Sequence, residues 1–500
     1  MRGKSLMIQG TASSVGKSVL CAALLRIMKQ DGLRAAPFKA QNMALNSFAT
    51  RDGLEMGRAQ VTQAQAAGLE PDVRMNPVLL KPTSDRRSQV IVCGRPVGTM
   101  TAMEYHSYKP ALRETIREVY DALEATVDAV VIEGAGSPAE INLREGDIVN
   151  MAMAEAADAP VILVGDIDLG GVFASLLGTM MLLSDAERAR VKGVIINKFR
   201  GDPAILAPGL RMLEELIHVP VLGVVPWMDV ELEEEDSVTA RFSRVSGAGD
   251  LDIAVVQLAH IANFTDFQAL ALQPGARVRY ARTAAELESA DLIVLPGTKN
   301  TIEDLLDLRR RGMDAAIVRH VRRGGMVLGV CGGYQMLGRV LRDPEHVESR
   351  VQEAAGLGLL DMEVAFSGEK RTAQAVGEVC AQDGWLRNAR RLLLDGYEIH
   401  AGRCAFGPEA APWLCISGCV DGVMNAQGNV LGTHLHGLFD DGQLFSLLAA
   451  HIRAQKGDDA GAQAPVSMAQ LREREFDRIA SIVRASVDVD AIYRILRGEA

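Results

Sequence analysis

A short apolar run, Ser5–Gln9, leads straight into Gly10-Thr11-Ala12-Ser13-Ser14-Val15-Gly16-Lys17-Ser18, and the helical stretch Val19–Lys29 follows at once. Strand, glycine-rich loop and helix in that order constrain this chain more than any other feature. The backbone N–H groups of such a loop can turn toward an anion, and the helix N-terminus adds positive potential there. The lysine reaches the β- and γ-phosphates of a nucleotide, and the hydroxyl ligates Mg²⁺. Gly10, Thr11, Gly16, Lys17 and Ser18 are therefore the expected nucleotide contacts, with ATP and Mg²⁺ as the expected cofactors. Five residues separate Gly10 from Gly16 where the common pattern has four, a longer loop in the same strand–loop–helix setting.

The rest of the N-terminal half repeats that rhythm. Ala129–Glu133, Pro160–Gly165, Val191–Asn197 and Val221–Val225 are short apolar runs, each followed by a polar or glycine residue and a helix-like segment. Alternation of this kind predicts a parallel sheet covered by helices on both faces, with ligands at the carboxyl ends of the strands. Glu133 then stands at a strand end as a direct or second-sphere Mg²⁺ ligand, and Asn197 at another as a partner for the adenine edge.

A second α/β rhythm starts at Leu251–Leu258 and continues through Leu292–Pro296, Met326–Val330 and Val430–His434, with short strands and turns between Leu357 and Cys419. Five hundred residues exceed what one core supports, so the expected fold is two α/β domains. The expected boundaries are 1–235 for a P-loop carboxylate-activating domain, 236–250 for a linker, 251–455 for a cysteine-based domain and 456–500 for a peripheral helical element. Aromatic residues make up only 4% of the chain, which suits sheets buried on both faces by small aliphatic side chains.

Cys331 lies in Gly329-Val330-Cys331-Gly332-Gly333-Tyr334-Gln335, between a buried strand and a helix. Small residues on both sides permit the strained turn on which an exposed nucleophile sits, where backbone N–H groups can face an oxyanion. The other six cysteines lack that setting and read as packing. A thiol nucleophile needs a base, and Val430–Phe439 offers two, His434 and His436.

On these residues the chain resembles known enzymes. The loop resembles that of the dethiobiotin synthetase group, which phosphorylates a carboxylate or carbamate. Phe38-Lys39-Ala40-Gln41-Asn42-Met43-Ala44-Leu45-Asn46-Ser47, Gly53–Gln60 and Glu133–Leu143 resemble the cobyric acid synthase family. The C-terminal half resembles class I glutamine amidotransferases. That likeness places Lys39 on the transferring phosphoryl group and Glu55 at the metal, with Asn42, Asp166 and Asp168 as further metal or substrate contacts. It makes His436 the base, with His434 the alternative. Gly297, in Leu295–Asn300, and Gly332 become the oxyanion donors. Such amidotransferases carry a Glu two positions after the histidine; Leu438 stands there, which leaves the imidazole's orienting partner open.

The resemblance implies amidation of the b, d, e and g carboxylates of adenosylcobyrinic acid a,c-diamide, through acyl phosphates and with glutamine as the nitrogen source. Rival readings are a cobyrinic acid a,c-diamide synthase, another P-loop/glutaminase ligase, or a switch ATPase with a degenerate second domain. Net charge −11 without a dense basic stripe argues against nucleic acid as a partner. No apolar run approaches the ~20 residues of a membrane span. Seven cysteines without paired spacing give no disulfide or zinc pattern. The expected setting is the cytoplasm, the partners are corrinoid, glutamine and ATP, and a homo-oligomer stays open.

Overall fold

The computed structural model describes residues 4–84, 87–232, 245–247, 249–458 and 464–499. The chain divides into two compact units: Met1–Met43, Met56–Glu233 and Arg472–Ala500 form one, Ala44–Glu55 and Glu234–Leu471 the other.

The first unit is built on six parallel strands: β1 (Lys4–Gly10), β2 (Ala35–Phe38), β3 (Ala129–Glu133), β4 (Val161–Asp166), β5 (Val191–Phe199) and β6 (Val221–Pro226). Their spatial order is β6-β5-β4-β1-β3-β2. The central strands read as continuous apolar runs because helices cover both faces, and β3 and β4 are buried along their whole length. This order puts the ends of β1, β3 and β4 side by side, so the glycine loop after β1, Glu133 at the end of β3 and Asp166 at the end of β4 share one edge of the sheet.

One part of this unit was not anticipated, and another, the C-terminal helical element expected to be peripheral, lies in its core. A separate four-stranded sheet joins Gln41–Met43, Val78–Ser84, Arg87–Val92 and Arg95–Thr101. At the other end of the chain, Phe476, Ile479, Ala480, Val483, Ile492 and Ile495 lie in the same core as Leu6, Ile8 and Leu24. Arg26 of the helix Lys17–Gln30 pairs with Glu473 and Asp477, at 2.9 and 2.8 Å. The C-terminal helix Val489–Arg497 is thus a structural layer of this unit, apolar on its inner face and charged outside.

In the second unit β7 (Leu251–Val256), β8 (Ala276–Ala281), β9 (Leu292–Leu295), β10 (Met326–Val330) and β11 (Val430–Thr433) run parallel in the order β8-β7-β9-β10-β11. The sheet then continues antiparallel through Cys419–Met424, Ala411–Ile416 and the long pair Met362–Val379 and Leu393–Phe406, eleven strands in all. Neighbouring β10 and β11 are followed directly by Cys331 and by His434–His436, which brings residues about a hundred positions apart to one sheet edge. Most of the expected linker, 236–250, lies outside the described residues; Ser246, within it, bridges to Val278 of β8.

Candidate functional sites

In the first unit the glycine loop wraps the N-terminus of the helix Lys17–Gln30. Gly16 has φ 97°, and a Cβ there would lie 2.1 Å from the Asn197 amide nitrogen, so the position admits only glycine. Asn197 reaches in from β5 and donates to the Val15 carbonyl at 2.8 Å, while its buried Oδ1 has no hydrogen-bond partner among the described residues. A buried acceptor left open is costly, so a donor such as an amino group would be favoured there. Lys17 Nζ donates to the carbonyls of Ala12 and Gly136, at 3.0 and 3.1 Å, and so lies between the loop and the turn after β3. Asn150 holds that turn through both its amide atoms, accepting from Ala135 N and donating to Ala135 O.

Glu133 is the centre of a polar knot. Its Oε1 accepts from the Ser18 hydroxyl at 2.8 Å and the Lys39 ammonium at 3.0 Å, and its Oε2 from Gln63 Nε2 at 2.5 Å. Burial opposes its charge. The adjacent Lys39 ammonium and these hydrogen bonds outweigh burial and hold the carboxyl below the usual carboxylate range. The structure thus brings Lys17, Ser18, Lys39 and Glu133 to one edge, and adds Gln63 from the helix Arg58–Ala66, which no spacing rule singles out. Asn42 instead donates to Gln60 at 3.1 Å. Asp166 pairs with Lys198 at 2.7 Å, and the more exposed Asp168 with Arg200.

Glu55 does not join this knot. It falls in the second unit, where its carboxylate accepts from the Ser47 hydroxyl at 2.7 Å and pairs with Lys370. The segment 44–55 as a whole belongs there: Asn46 Oδ1 accepts from Phe264 N and Ser47 N donates to Asn263 Oδ1.

In the second unit Cys331 adopts φ 51°, ψ −113°, left-handed backbone that a side chain rarely takes, at the turn between β10 and the short helix Gly332–Met336. A Cβ on Gly333 would meet the Leu295 carbonyl oxygen at 2.1 Å, so this close approach of the turn to the end of β9 demands glycine. Gly297 lines the same space, its would-be Cβ 3.3 Å from His436 Cε1 and 3.6 Å from Cys331 Cβ. Gly332 packs on Thr298 of that loop.

His436 is buried and held from three sides. Its Nδ1 lies 2.8 Å from Asp266 Oδ2, its backbone pairs with Tyr397, and the Tyr397 ring stacks on it at 5.1 Å. Asp266, on the helix Thr265–Ala271, also accepts from Gly437 N at 2.8 Å. Burial disfavours the imidazolium, but the Asp266 carboxylate more than compensates and lifts the His436 pKa to about 10. Burial likewise raises the Cys331 thiol, and the hydrogen bond and charge of His436 bring it down below its ordinary value. The pair therefore favours thiolate and imidazolium.

His434, two residues earlier, points elsewhere. Its Nδ1 lies 2.7 Å from Asp421, its Nε2 is near Gln335 and Cys404, and its ring stacks on His400 at 3.9 Å. Among the described residues no cluster of three or more His, Cys, Asp or Glu could hold a metal ion, and no helix is long and apolar enough to cross a membrane.

Comparison with known proteins matches each half. Residues 6–239 fit the CobQ/CobB/MinD/ParA nucleotide binding domain, and residues 252–444 the CobB/CobQ-like glutamine amidotransferase domain. Cobyric acid synthase of Photorhabdus laumondii is 51% identical over 99% of this chain and 98% of its own length. Cobyric acid synthase of Alkaliphilus metalliredigens is also 51% identical, over 99% of this chain and all of its own length (100%). Among solved structures, PurLQS from Thermotoga maritima aligns with 46% of this chain and 97% of its own at 19% identity, with a TM-score of 0.31.

Proposed function

The chain belongs to the cobyric acid synthase family, and from that premise we propose that it amidates peripheral carboxylates of a corrinoid in cobalamin biosynthesis, using ATP and glutamine. The substrate in this reading is adenosylcobyrinic acid a,c-diamide and the product adenosylcobyric acid, with amides formed at positions b, d, e and g. The observation that carries the two-part chemistry is one chain holding both an anion loop with Lys17, Ser18, Lys39 and Glu133 and a Cys331–His436–Asp266 array.

In the first unit Lys17 holds the β- and γ-phosphates of ATP, and Asn197 takes the adenine amino group on its open Oδ1. Ser18 and Glu133 supply a hydroxyl and an ionised carboxylate 2.8 Å apart, the hard oxygen donors that Mg²⁺ prefers alongside phosphate and water. Bound there, the cation would neutralise phosphate charge. Lys39 lies beside Glu133, placed to neutralise charge on the phosphoryl group as it passes to a substrate carboxylate. The product is an acyl phosphate, open to attack by ammonia.

In the second unit the Cys331 thiolate attacks the side-chain carbonyl carbon of glutamine, and backbone N–H groups at Gly297 and Gly332 face the oxyanion. The His436 imidazolium gives its proton to the departing ammonia, leaving a glutamyl thioester. His436 then takes a proton from water, which hydrolyses the thioester to glutamate. Ammonia displaces phosphate from the activated carboxylate in the first unit and forms the amide. We place the reaction in the cytoplasm.

The reading is tested by measuring glutamine-dependent ATP turnover with and without the corrinoid diamide. Corrinoid-stimulated turnover, with one phosphate and one glutamate per amide, is the expected result. Turnover indifferent to the corrinoid would overturn it.

A further inference from the structure

Around Cys331 two side chains of opposite charge remain outside the catalytic array. Lys299 is the second residue after Gly297, on the loop whose Thr298 packs on Gly332: a Cβ on Gly332 would lie 2.7 Å from the Thr298 methyl. Glu348 comes from the other side. Asp343, fully buried, accepts from the backbone N–H groups of Val347, Glu348 and Ser349 and so folds the segment into a fixed turn. That turn brings Glu348 Oε2 to within 3.2 Å of Thr301 N. Thr301 Oγ1 in turn lies 3.1 Å from the would-be Cβ of Gly332 and 3.4 Å from Gln335 Oε1. The Glu348 carboxylate thus stands beside the nucleophile's turn, and Lys299 projects from the loop packed on it, close enough for its charge and that of Cys331 to interact.

Both are largely buried, and among the described residues neither forms an ion pair. The neighbouring charges, Lys370 and Glu55, are already joined to each other. Thr301 N and the opposite charge of Lys299 offset only part of the burial of Glu348, and Glu348 only part of that of Lys299, because the two do not close into an ion pair. Burial and the nearby Lys370 push the Lys299 ammonium below the usual lysine range, and burial pushes the Glu348 carboxyl up. A ligand carrying one charge of each sign would relieve both.

We propose that Lys299 and Glu348 form the subsite that selects glutamine as an amino acid, Lys299 taking its α-carboxylate and Glu348 its α-ammonium while Cys331 meets the side-chain amide. The assignment rests on the glutaminase reading of Cys331. It makes the two residues determinants of specificity rather than catalytic residues. Their removal should raise KM for glutamine and leave kcat comparatively intact.

The test uses the full chain and three amides: L-glutamine, glutaramate (which lacks the α-ammonium) and 4-aminobutanamide (which lacks the α-carboxylate). The unmodified chain should prefer glutamine over either analogue by ~10²-fold or more in kcat/KM, as sites built around polar partners do. Glu348→Gln should lose most of its preference over glutaramate and keep its preference over 4-aminobutanamide. Lys299→Met should show the reverse, and Lys299→Arg should recover part of the loss. Loss of kcat on all three amides alike, or an unchanged glutamine KM, would overturn the subsite. Should a variant not fold, the unmodified chain decides: glutamine should shield Cys331 from iodoacetamide at concentrations where neither analogue does, and equal shielding by all three would reject the proposal. A chain that does not hydrolyse glutamine at all fails at the first measurement, which marks failure of the glutaminase reading instead.

Discussion

Asp266 Oδ2 lies 2.8 Å from His436 Nδ1, and both side chains are buried. Asp266 thus supplies the carboxylate partner of the imidazole, while Leu438 occupies the position two residues after the histidine. The carboxylate reaches His436 from a different element and holds Gly437 N with its other oxygen, which fixes both the ring and the chain that bears it.

Asp266→Asn should therefore lower glutamine hydrolysis by ~10²–10⁴-fold, since an amide can neither stabilise the imidazolium nor enforce the Nδ1–H tautomer. A pH profile separates this from simple loss of structure. With Asp266 present, the His436 pKa of about 10 lies above its ordinary 6.5, and the Cys331 thiol lies below its ordinary 9.0. Stabilisation from the charged histidine is complete below pH 6.5 and fades as pH rises through about 10. In Asp266→Asn the His436 pKa falls and that of Cys331 rises, so the rate of Cys331 alkylation should shift to higher pH. An unshifted alkylation profile would remove Asp266 from the array.

The two histidines give a second contrast. His434 has its own carboxylate, Asp421, and faces Gln335 and Cys404, whereas His436 is the ring that lowers the Cys331 thiol. His436→Ala should abolish thioester formation, measured by trapping the labelled glutamyl enzyme. His434→Ala should act mainly through packing around Gln335 and lose much less. Equal losses would mean that both rings serve the thiol.

Packing of the C-terminal helices supplies a stability prediction. Phe476 is fully buried in the core of the first unit with Leu6 and Leu24. Phe476→Ala removes a large aromatic from a closed core and should cost about 3–5 kcal/mol. Because the chain has two units, the effect should appear as an earlier unfolding transition of the first unit alone, followed by calorimetry with and without nucleotide. A single unchanged transition would contradict that placement.

What could be read beforehand follows from how local each signal is. Gly10–Ser18 and the turn at Cys331 were legible because a phosphate loop and a nucleophile turn need fixed residue types within a few positions. The strands β1, β3, β4, β5 and β6 were legible as buried apolar runs. β8 was not, because Ala276–Ala281 is an edge strand and carries Arg277 and Arg279. Asp266 was out of reach for a different reason. It meets His436 from 170 positions away, and nothing in Asn263-Phe264-Thr265-Asp266 marks a carboxylate as paired. The resemblance placed Glu55 at the metal beside Ser18, but the structure pairs it with Ser47 and Lys370 in the second unit. The segment 44–55 packs on Asn263, Phe264 and Tyr397 instead, a tertiary choice that no local propensity encodes.

The activation step yields the last contrast. Lys17 bridges the loop and the turn after β3, and Ser18 meets Glu133, so the phosphate-binding groups are separate from the thiol chemistry in the other unit. Phosphoryl transfer depends mainly on positioning and on neutralising charge, and no nitrogen source can replace either. Lys17→Ala should therefore fail with glutamine and with high ammonium chloride alike. Cys331→Ala should fail with glutamine alone and work with ammonium chloride at raised pH, where free ammonia bypasses the thioester. Oxygen-18 in the substrate carboxylate adds the chemical identity of the intermediate. An acyl phosphate passes one labelled oxygen to inorganic phosphate for each amide formed. Label appearing in AMP, with pyrophosphate released, would mean adenylation, and the roles given to Lys39 and Glu133 beside a γ-phosphoryl group would have to be withdrawn.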